Sequence, residues 1–259
     1  MKPPQFDKAA VRRSFGRAAA SYDVAAVLQH EVCKRMNERL DLIKHQPALL
    51  LDAGCGTGNA LPLLRARYPK ARLMACDIAL TMLQKARERA PTPWLKFFLN
   101  QKVMEVCGDI EALPLATASV DLVWSNLALQ WVNDLDHAFG EFHRVLKPGG
   151  LLMFSTFGPD TLKELRAAFS TVDRHTHVSR FVDLHDIGDI LVKRGYADPV
   201  MDMEPFTLTY PDVRALMRDL KAIGAHNATQ DRAQGLTGRA RLVAVAEAYE
   251  PLRRDRKLP

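Results

Sequence analysis

Residues 48–59 read ALLLDAGCGTGN, in which an apolar run leads directly into a turn with glycine at every second position. Four apolar residues in a row fit a strand that is buried on both faces. Glycines in the following turn let the backbone approach a ligand closely, because no Cβ stands in the way. The stretch therefore predicts a buried strand whose carboxyl end carries a ligand-binding turn.

The middle of the chain continues this alternation of strand and helix patterns. Strands are predicted at 71–78, 102–110, 120–129 and 151–157, and helices at 60–68, 80–90 and 134–146. We expect the KPGG sequence at 147–150 to end the last of these helices. Such alternation is typical of an α/β protein with a Rossmann-like, doubly wound and mainly parallel sheet that helices cover on both faces.

Helical patterns also flank this core. They occur at 7–17, 24–43, 161–169, 184–194, 212–223 and 239–250, with one further strand pattern at 200–209. We interpret the chain as a single domain with an N-terminal helical lid at 1–46, a ligand-binding core at 47–157 and a substrate-side extension at 158–259. A sheet of this kind normally finishes with a strand, and because the sequence ends RRDRKLP without an apolar run, we expect the final strand to be absent.

Composition argues against several classes of protein. No apolar stretch approaches the roughly 20 residues that a membrane-spanning helix needs, and the N-terminus lacks the apolar core of a signal peptide. The four cysteines show no CxxC spacing, so we predict no metal site. We expect a soluble, cytoplasmic protein that works as a monomer, without a membrane partner. Its formal net charge of +6 suits an acidic partner.

Three acidic residues end three successive predicted strands. Asp52 directly precedes the glycine turn, Asp77 ends the second strand and Asp109 ends the third. Because the carboxyl ends of parallel strands share one edge of the sheet, the three carboxylates are expected to converge there. We expect Asp52 to face a cationic amino-acid group, Asp77 to accept hydrogen bonds from ribose hydroxyls, and Asp109 to accept from an adenine amino group. Ile110 would pack on the adenine ring.

The spacing of the glycines distinguishes two kinds of nucleotide site. Dinucleotide sites spell GxGxxG and place a pyrophosphate at a helix N-terminus. Here the turn spells DxGxGxG over 52–58, so the third glycine comes one residue too early for that pattern. Together with the acidic residue, this spacing favours a ligand with a cationic methionine tail over one with phosphates.

The stretch from Ala48 to Thr156 resembles the class I methyltransferases, in particular their type 11 branch. LLLDAGCGTGN matches the first motif of that family, GDIEALPLATASVDLVWSN its adenine loop and fourth strand, and LKPGG the turn before strand five. The resemblance implies that the cofactor is S-adenosylmethionine. The residues that we assign to its binding are Asp52, Gly54, Gly56, Gly58, Asp77, Ile78, Met82, Asp109, Ile110, Asn126 and Leu127.

The loop after the fourth strand bears on the methyl acceptor. Enzymes that methylate amino groups of nucleic acids often carry an Asn or Asp, two prolines and an aromatic residue there, whereas residues 125–128 of this chain read SNLA. No run of aromatic residues interleaved with basic ones suggests base stacking either. We therefore expect no nucleic-acid partner.

Four further stretches resemble the malonyl-[acyl-carrier protein] O-methyltransferases of biotin synthesis. They are SFGRAAASYD at 14–23, SNLALQWVNDL at 125–135, SRFVDLHDI at 179–187 and KAIGA at 221–225. The resemblance implies that the chain methylates the free carboxylate of a malonyl thioester early in biotin synthesis. The substrate would be either malonyl-acyl-carrier protein or malonyl-CoA.

A carboxylate acceptor needs no general base, because a pKa near 4 leaves it ionised at neutral pH. Catalysis then consists of holding the carboxylate in line with the methyl group and excluding water. Tyr22 matches the family tyrosine that reaches the reaction centre, and Arg180 is our candidate for anchoring the substrate through its fixed donors. The basic residues expected to attract an acidic carrier protein include Arg12, Arg13, Arg17 and Lys221.

Other functions remain open at this point. LQWVNDL at 129–135 and FGPDTLKELR at 157–166 also resemble a related protein that assists respiratory complex I assembly and hydroxylates a protein arginine. A type 11 methyltransferase of small molecules would show the same cofactor motifs. So would a non-catalytic module that keeps the cofactor pocket as a structural element.

Overall fold

The computed structural model describes residues 5–89, 102–173, 175–225, 228, 239–253 and 257–259. Within these ranges five strands form one sheet, and each neighbouring pair is parallel. The strands are β1 at Leu49–Ala53, β2 at Arg72–Asp77, β3 at Met104–Cys107, β4 at Val120–Asn126 and β5 at Leu146–Ser155. Their spatial order is β3-β2-β1-β4-β5, which confirms the predicted doubly wound α/β fold.

The α-helices cover both faces of the sheet and the edge formed by the carboxyl ends of its strands. They are α1 at Lys8–Ala18, α2 at Tyr22–Ala25, α3 at Val27–Arg39, α4 at Ala60–Arg67, α5 at Leu80–Arg89, α6 at Leu135–Val145, α7 at Lys163–Ser170, α8 at Leu184–Lys193, α9 at Val213–Ala222 and α10 at Arg239–Tyr249. Within the described ranges, no helix has both the length and the apolar character that crossing a membrane requires.

Strand β1 lies at the centre of the sheet, with β2 on one side and β4 on the other. At such a switch point the connections diverge and leave a crevice at the carboxyl ends of the strands. Every residue of β1 is buried, and successive side chains point to opposite faces. Leu50 packs in the core shared with α3, α4 and α5, whereas Leu51 packs in the core shared with α6 and α8.

Helix α1 opens the lid, the N-terminal segment at 1–46. The Asp7 carboxylate caps this helix by accepting a hydrogen bond from the Ala10 N–H over 3.1 Å. The helix also packs on α5, where the Thr81 hydroxyl donates to the Gly16 carbonyl over 3.2 Å. The lid is therefore joined to the core from its first helix onward.

The predicted helix at 24–43 is broken in the structure. Ala26 takes a ψ of 41°, which is not helical, and it separates α2 from α3. No proline or glycine marks this position, and Ala26 is fully buried. We attribute the break to tertiary packing, which sets Tyr22 on a short helix of its own.

The structure also corrects the predicted turn at KPGG. Leu146 follows α6 immediately and already pairs with Val120 in the sheet, while the regular ladder resumes only at Leu151. The intervening residues form a bulge within β5, where Gly149 takes a φ of +76°. Helix α6 therefore passes into the strand without a separate loop.

The prediction of a strand at 200–209 is wrong. The described residues there form no strand, and the segment lies against α3 instead. Arg35 of α3 pairs with Glu204 and also stacks over the Phe206 ring, 4.6 Å from its centroid. The alternating apolar pattern predicted a half-buried strand, but Val200 is 92% exposed and faces no core.

Helices α7, α9 and α10 build a separate apolar cluster around Leu165, Leu216 and Val245. No described residue after β5 joins the sheet. A single antiparallel bridge between Tyr210 and Leu258 is the only strand-like pairing in this part of the described chain. The extension therefore enlarges the molecule beside the lid without widening the sheet.

Candidate functional site

Two cavities lie at the carboxyl ends of the strands, under the lid. The large cavity has a volume of about 600 Å³ including its open mouth, and the small cavity about 350 Å³. Four residues border both of them, namely Tyr22, Gly54, Gly56 and Asn126. The two cavities therefore adjoin along one shared wall.

The glycine turn forms part of that wall. Gly54 and Gly56 take positive φ values of 78° and 52°, and a Cβ on Gly54 would collide with the Cβ of Ala128. A Cβ on Gly56 would point at the Tyr22 ring, 4.0 Å from its Cε1 atom. Both positions need glycine for conformation, and Gly56 also keeps the space below Tyr22 open.

Gly58, which we assigned to the cofactor, lines neither cavity. A Cβ at this position would lie 2.8 Å from the Ala86 Cβ of α5 and 2.9 Å from a Leu61 methyl. Gly58 therefore allows the turn to pack closely against α5.

Asp77 is the last residue of β2, as predicted, and its carboxylate contacts the glycine turn that follows β1. Its Oδ2 accepts from the Gly56 N–H over 2.9 Å and its Oδ1 from the Ala79 N–H over 2.8 Å. Burial raises the pKa of Asp77 to about 6, and the two backbone hydrogen bonds oppose that rise. The carboxylate thus holds the turn in place while it lines the large cavity.

Asp52 lines the small cavity and is only 1% exposed. Its Oδ2 is buried and has no hydrogen-bond partner in the described part of the chain. Burial raises the pKa of Asp52 to about 8, and the charge of Asp77 adds to that rise. A cationic group in the small cavity would supply the missing partner, so this carboxylate fits the ammonium end of an amino acid.

Asp109 borders the large cavity and contacts the lid as well. Lys8 donates to its Oδ1 over 3.2 Å and also pairs with Glu111. Ile110, the next residue, is buried and lines the same cavity, as do Ile78 and Met82. These residues give the large cavity apolar surface beside the Asp109 carboxylate, as expected for an adenine site.

Tyr22 stands on α2 between the two cavities. Burial raises the pKa of its phenol well above the ordinary value, and the charges of Asp77 and Asp23 add to the rise. The hydroxyl is therefore protonated at neutral pH and available as a hydrogen-bond donor. The family resemblance predicts Tyr22 at the reaction centre, and the structure brings it to the shared wall.

The end of β4 joins the lid to the sheet. The Asn126 amide donates to the Gln29 carbonyl of α3 over 3.0 Å, and its Oδ1 accepts from the Ser155 hydroxyl over 2.9 Å. Leu127 follows with a φ of +49°, a strained conformation for leucine. Both predicted residues line the large cavity, and Asn126 has a bridging role that the sequence did not reveal.

Aromatic side chains form the outer wall of the large cavity. Trp131 lies 5.7 Å from Phe6 and 5.2 Å from Phe15, measured between ring centroids. Trp131 and Phe15 line the cavity. The aromatic content of SFGRAAASYD and LQWVNDL hinted at this wall, but only the fold brings the two segments together.

Arg180 lines neither cavity. It is exposed in the connection between α7 and α8. Burial lowers the pKa of the neighbouring Arg166, and the charge of Arg180 lowers it further. Because Tyr22 lines both cavities and Arg180 lines neither, the role of Arg180 in anchoring the substrate stays a prediction. Within the described ranges, no group of three or more His, Cys, Asp or Glu side chains is placed to hold a metal ion.

Known proteins share this architecture. The methyltransferase domain family matches residues 51–154. A malonyl-[acyl-carrier protein] O-methyltransferase from Gallionella capsiferriformans is 59% identical over 253 residues, which cover 98% of this chain and 87% of that protein. A protein of the same name from a Methylovorus species is also 59% identical, over 98% of this chain and 85% of its own length.

Solved structures show the same fold at much lower identity. The YcgJ protein from Bacillus subtilis aligns with a TM-score of 0.57 at 18% identity, over 85% of this chain and 83% of that one. A SAM-dependent methyltransferase from Thermotoga maritima aligns with a TM-score of 0.51 at 20% identity, over 71% and 80% of the two chains. These two likenesses support the fold alone. The near full-length identity to the bacterial relatives goes further and shows that this chain belongs to the malonyl-[acyl-carrier protein] O-methyltransferase family, whose methyl donor is S-adenosylmethionine.

Proposed function

We propose that this chain transfers a methyl group from S-adenosylmethionine to the free carboxylate of a malonyl thioester carried by an acyl carrier protein. The observation that carries the proposal is the 59% identity, over 98% of the chain, to relatives named for this reaction. The segments at 14–23, 125–135, 179–187 and 221–225 support the same substrate through their resemblance. As that resemblance implies, the methyl ester would serve an early step of biotin synthesis.

The residues around the two cavities fit the cofactor. Bound S-adenosylmethionine supplies an electrophilic methyl group on a positively charged sulfur. Asp52 would pair with the ammonium, since its Oδ2 is buried without a partner. Asp77 would accept the ribose hydroxyls, because each of its oxygens accepts one backbone hydrogen bond and has a second acceptor site.

The large cavity suits the adenine end of the cofactor. Ile78, Met82 and Ile110 offer apolar surface to the two faces of a flat ring. Lys8 holds Asp109 through Oδ1, which fixes the carboxylate and leaves Oδ2 to accept from the adenine amino group. Because Lys8 belongs to the lid, the carboxylate that would bind the adenine amino group also contacts the lid.

Tyr22 is the residue that we assign to the acceptor. Its protonated phenol borders both cavities, so it is placed to donate to an oxygen of the malonyl carboxylate. Such a hydrogen bond would orient the carboxylate without removing a proton from it, as the reaction requires. The Asn126 amide, which bonds to α3 of the lid and to β5, fixes the end of β4 in the wall that it shares with Tyr22.

Exclusion of water is the second task of the chain. An anionic acceptor reacts with a cationic donor, and both charges are partly neutralised in the transition state, so a site of low polarity favours the reaction. Phe15 and Trp131 supply that environment at the large cavity, and Phe6 packs behind them. These aromatic side chains, of which Phe6 and Phe15 belong to the lid, would keep water out of the large cavity.

The test is a transfer assay with methyl-labelled S-adenosylmethionine. The purified chain should place label on malonyl-carrier protein as a base-labile ester, and it should leave acetyl-carrier protein, which lacks the free carboxylate, unlabelled. Malonyl-CoA serves as the small thioester for comparison. Absence of a base-labile ester at saturating substrate would overturn the proposal, and hydroxylation of a protein arginine would favour the related protein class instead.

A further inference from the structure

Helix α9 carries a stripe of exposed positive charge. Arg214, Arg218 and Lys221 are all exposed and lie within an arc of about 60° on the helix surface, given 3.6 residues per turn. Val213 and Leu216 on the opposite face are buried in the cluster with α7 and α10. The helix is therefore anchored by its apolar face and presents the three cations to solvent.

These three cations are not neutralised within the described part of the chain. None of Arg214, Arg218 and Lys221 takes part in an ion pair or a side-chain hydrogen bond there. Other surface arginines do pair, as Arg87 does with Glu105 and Arg194 with Asp136. A row of unpaired like charges on one helix repels itself, and an anionic partner would relieve that repulsion.

The stripe ends next to the lid. The Ser21 hydroxyl, between α1 and α2, donates to the Ala222 carbonyl at the end of α9 over 3.0 Å. Gly224 follows with a φ of +73° and packs so closely on α1 that an added Cβ would lie 3.2 Å from the Phe15 ring. Since Phe15 lines the large cavity, the stripe leads toward the site where the substrate would enter.

Two lid helices extend this surface. On α1, Arg17 is exposed one turn beyond Arg13, which lies 3.8 Å from Asp7. On α2, which packs against α9, Val24 is 87% exposed. The stripe and an exposed apolar side chain thus occur on two helices that pack together, and protein-binding surfaces combine apolar contacts with a polar rim. The relatives of this chain are named for a substrate on an acyl carrier protein, so a protein partner is the occupant that this surface would receive.

We propose that Arg17, Arg214, Arg218, Lys221 and Val24 form a docking surface for an acidic carrier protein that brings the malonyl thioester to the large cavity. The proposal rests on the function proposed above and names the surface that would receive the protein part of the substrate. The cations attract the acidic partner and orient it, while Val24 takes up its apolar contact. The small thioester alone does not reach this surface, so the two substrates should respond differently to changes in it.

The first experiment reverses the charges of the stripe. We compare R214E/R218E/K221E with the matched control K44E/K70E/R72E, in which three exposed cations near the amino ends of β1 and β2 undergo the same change of charge. The stripe variant should lose at least about tenfold in kcat/KM for malonyl-carrier protein, and malonyl-CoA turnover and cofactor affinity should not change. The control variant should match the unmodified chain with both substrates.

Salt provides a second readout. For the unmodified chain and the control variant, kcat/KM for malonyl-carrier protein should fall as ionic strength rises, whereas the stripe variant should depend little on salt. Val24→Asp should weaken carrier-protein turnover in the same selective way. Equal losses with both thioesters, or no selective loss in the stripe variant, would overturn the docking surface.

Direct binding separates this proposal from the proposed function. Fluorescence anisotropy with labelled holo-carrier protein should show binding to the unmodified chain and the control variant, and much weaker binding to the stripe variant. If the chain transfers no methyl group but binding follows this pattern, the docking surface stands and the proposed reaction fails. If single-stranded RNA or anionic vesicles bind through the stripe while carrier protein does not, the docking proposal is overturned.

Discussion

The Thr57 hydroxyl donates a hydrogen bond to Asp23 Oδ1 over 2.5 Å, and this contact joins the lid to the glycine turn. Arg89, at the end of α5, holds the other carboxylate oxygen of Asp23 at 2.5 Å. Because Asp23 follows Tyr22 on α2, the same contacts fix the tyrosine between the two cavities. The placement of Tyr22 thus depends on residues that do not themselves reach the large cavity.

Asp23→Asn tests this dependence. The amide keeps the shape of the side chain but loses the ion pair with Arg89, so Tyr22 should be held less firmly. We expect kcat to fall about tenfold, a typical result of slight misplacement at a reaction centre, with a smaller change in cofactor affinity. Asp41→Asn breaks the ion pair with Arg67 far from the cavities and should leave kcat unchanged. An unchanged kcat in Asp23→Asn would show that the contact only supports the fold.

Tyr22→Phe removes a single hydroxyl from the shared wall. The ring still fills its place, but the donor to the malonyl carboxylate is lost. We expect kcat to fall by roughly 10²-fold, as when one stabilising donor is removed, while the dissociation constant of S-adenosylmethionine stays nearly constant. Steady-state kinetics and calorimetric titration measure the two quantities. Equal losses in both would place Tyr22 in cofactor binding instead of acceptor positioning.

The raised pKa of Asp52 predicts proton release on cofactor binding. With a pKa of about 8 in the free protein, the carboxyl is mostly protonated at pH 7, and an ammonium partner would favour its ionised form. Affinity should therefore rise between pH 6.5 and 7.5, a range in which an α-amino group with a pKa near 8 stays mostly charged. Calorimetry in two buffers of different ionisation enthalpy counts the released protons. Asp52→Asn should abolish this part of the release, and the same release in the variant would contradict the assignment.

The same carboxyl affects folding stability with a definite sign. In the unfolded chain Asp52 ionises near the ordinary aspartate pKa of 3.8, whereas the folded chain keeps the proton up to about pH 8. Between these values the unfolded state binds fewer protons, so the contribution of Asp52 to stability decreases as pH rises. Asp52→Asn should therefore raise the melting temperature more at pH 8 than at pH 5. An equal shift at both pH values would mean that Asp52 ionises normally in the fold.

Gly54→Ala tests the tight packing of the turn on the β4 loop. The new Cβ would collide with the Ala128 Cβ, and alanine is disfavoured at a φ of +78°. We expect a loss of about 1–3 kcal/mol in the free energy of unfolding, as for overpacked sites. Ala128→Gly in the same chain should recover part of this loss, because it removes the collision but not the backbone strain. Denaturant titrations of both variants measure the difference, and no recovery would place the whole effect in the backbone.

The sequence was sufficient to predict the edge of the sheet where the site lies. Asp52, Asp77 and Asp109 lie at or within two residues of the carboxyl ends of β1, β2 and β3, and parallel strands bring such residues to one edge of the sheet. The structure places all three around the two cavities, as this argument requires. Local patterns were enough to predict the location of the site, because the carboxyl ends of parallel strands always lie at the same edge of the sheet.

Other features depended on contacts between distant segments. The hydrogen bond from Thr57 to Asp23 joins residues 34 apart, and no local pattern announces it. The helix break at Ala26 could not be predicted either, because no proline or glycine marks it and it depends on tertiary packing. Arg35 holds the 200–209 segment against α3, which overrides an alternating pattern that is typical of a strand.

The central claim is transfer of a methyl group to the malonyl carboxylate, and intact-protein mass spectrometry of malonyl-carrier protein tests it most directly. After incubation with the chain and S-adenosylmethionine, the malonyl-carrier protein should gain the mass of one added methylene, and cleavage of the thioester should remove the gain together with the acyl group. Acetyl-carrier protein should keep its mass. A malonyl-carrier protein whose mass does not change, under conditions in which the chain binds the cofactor, would contradict the account.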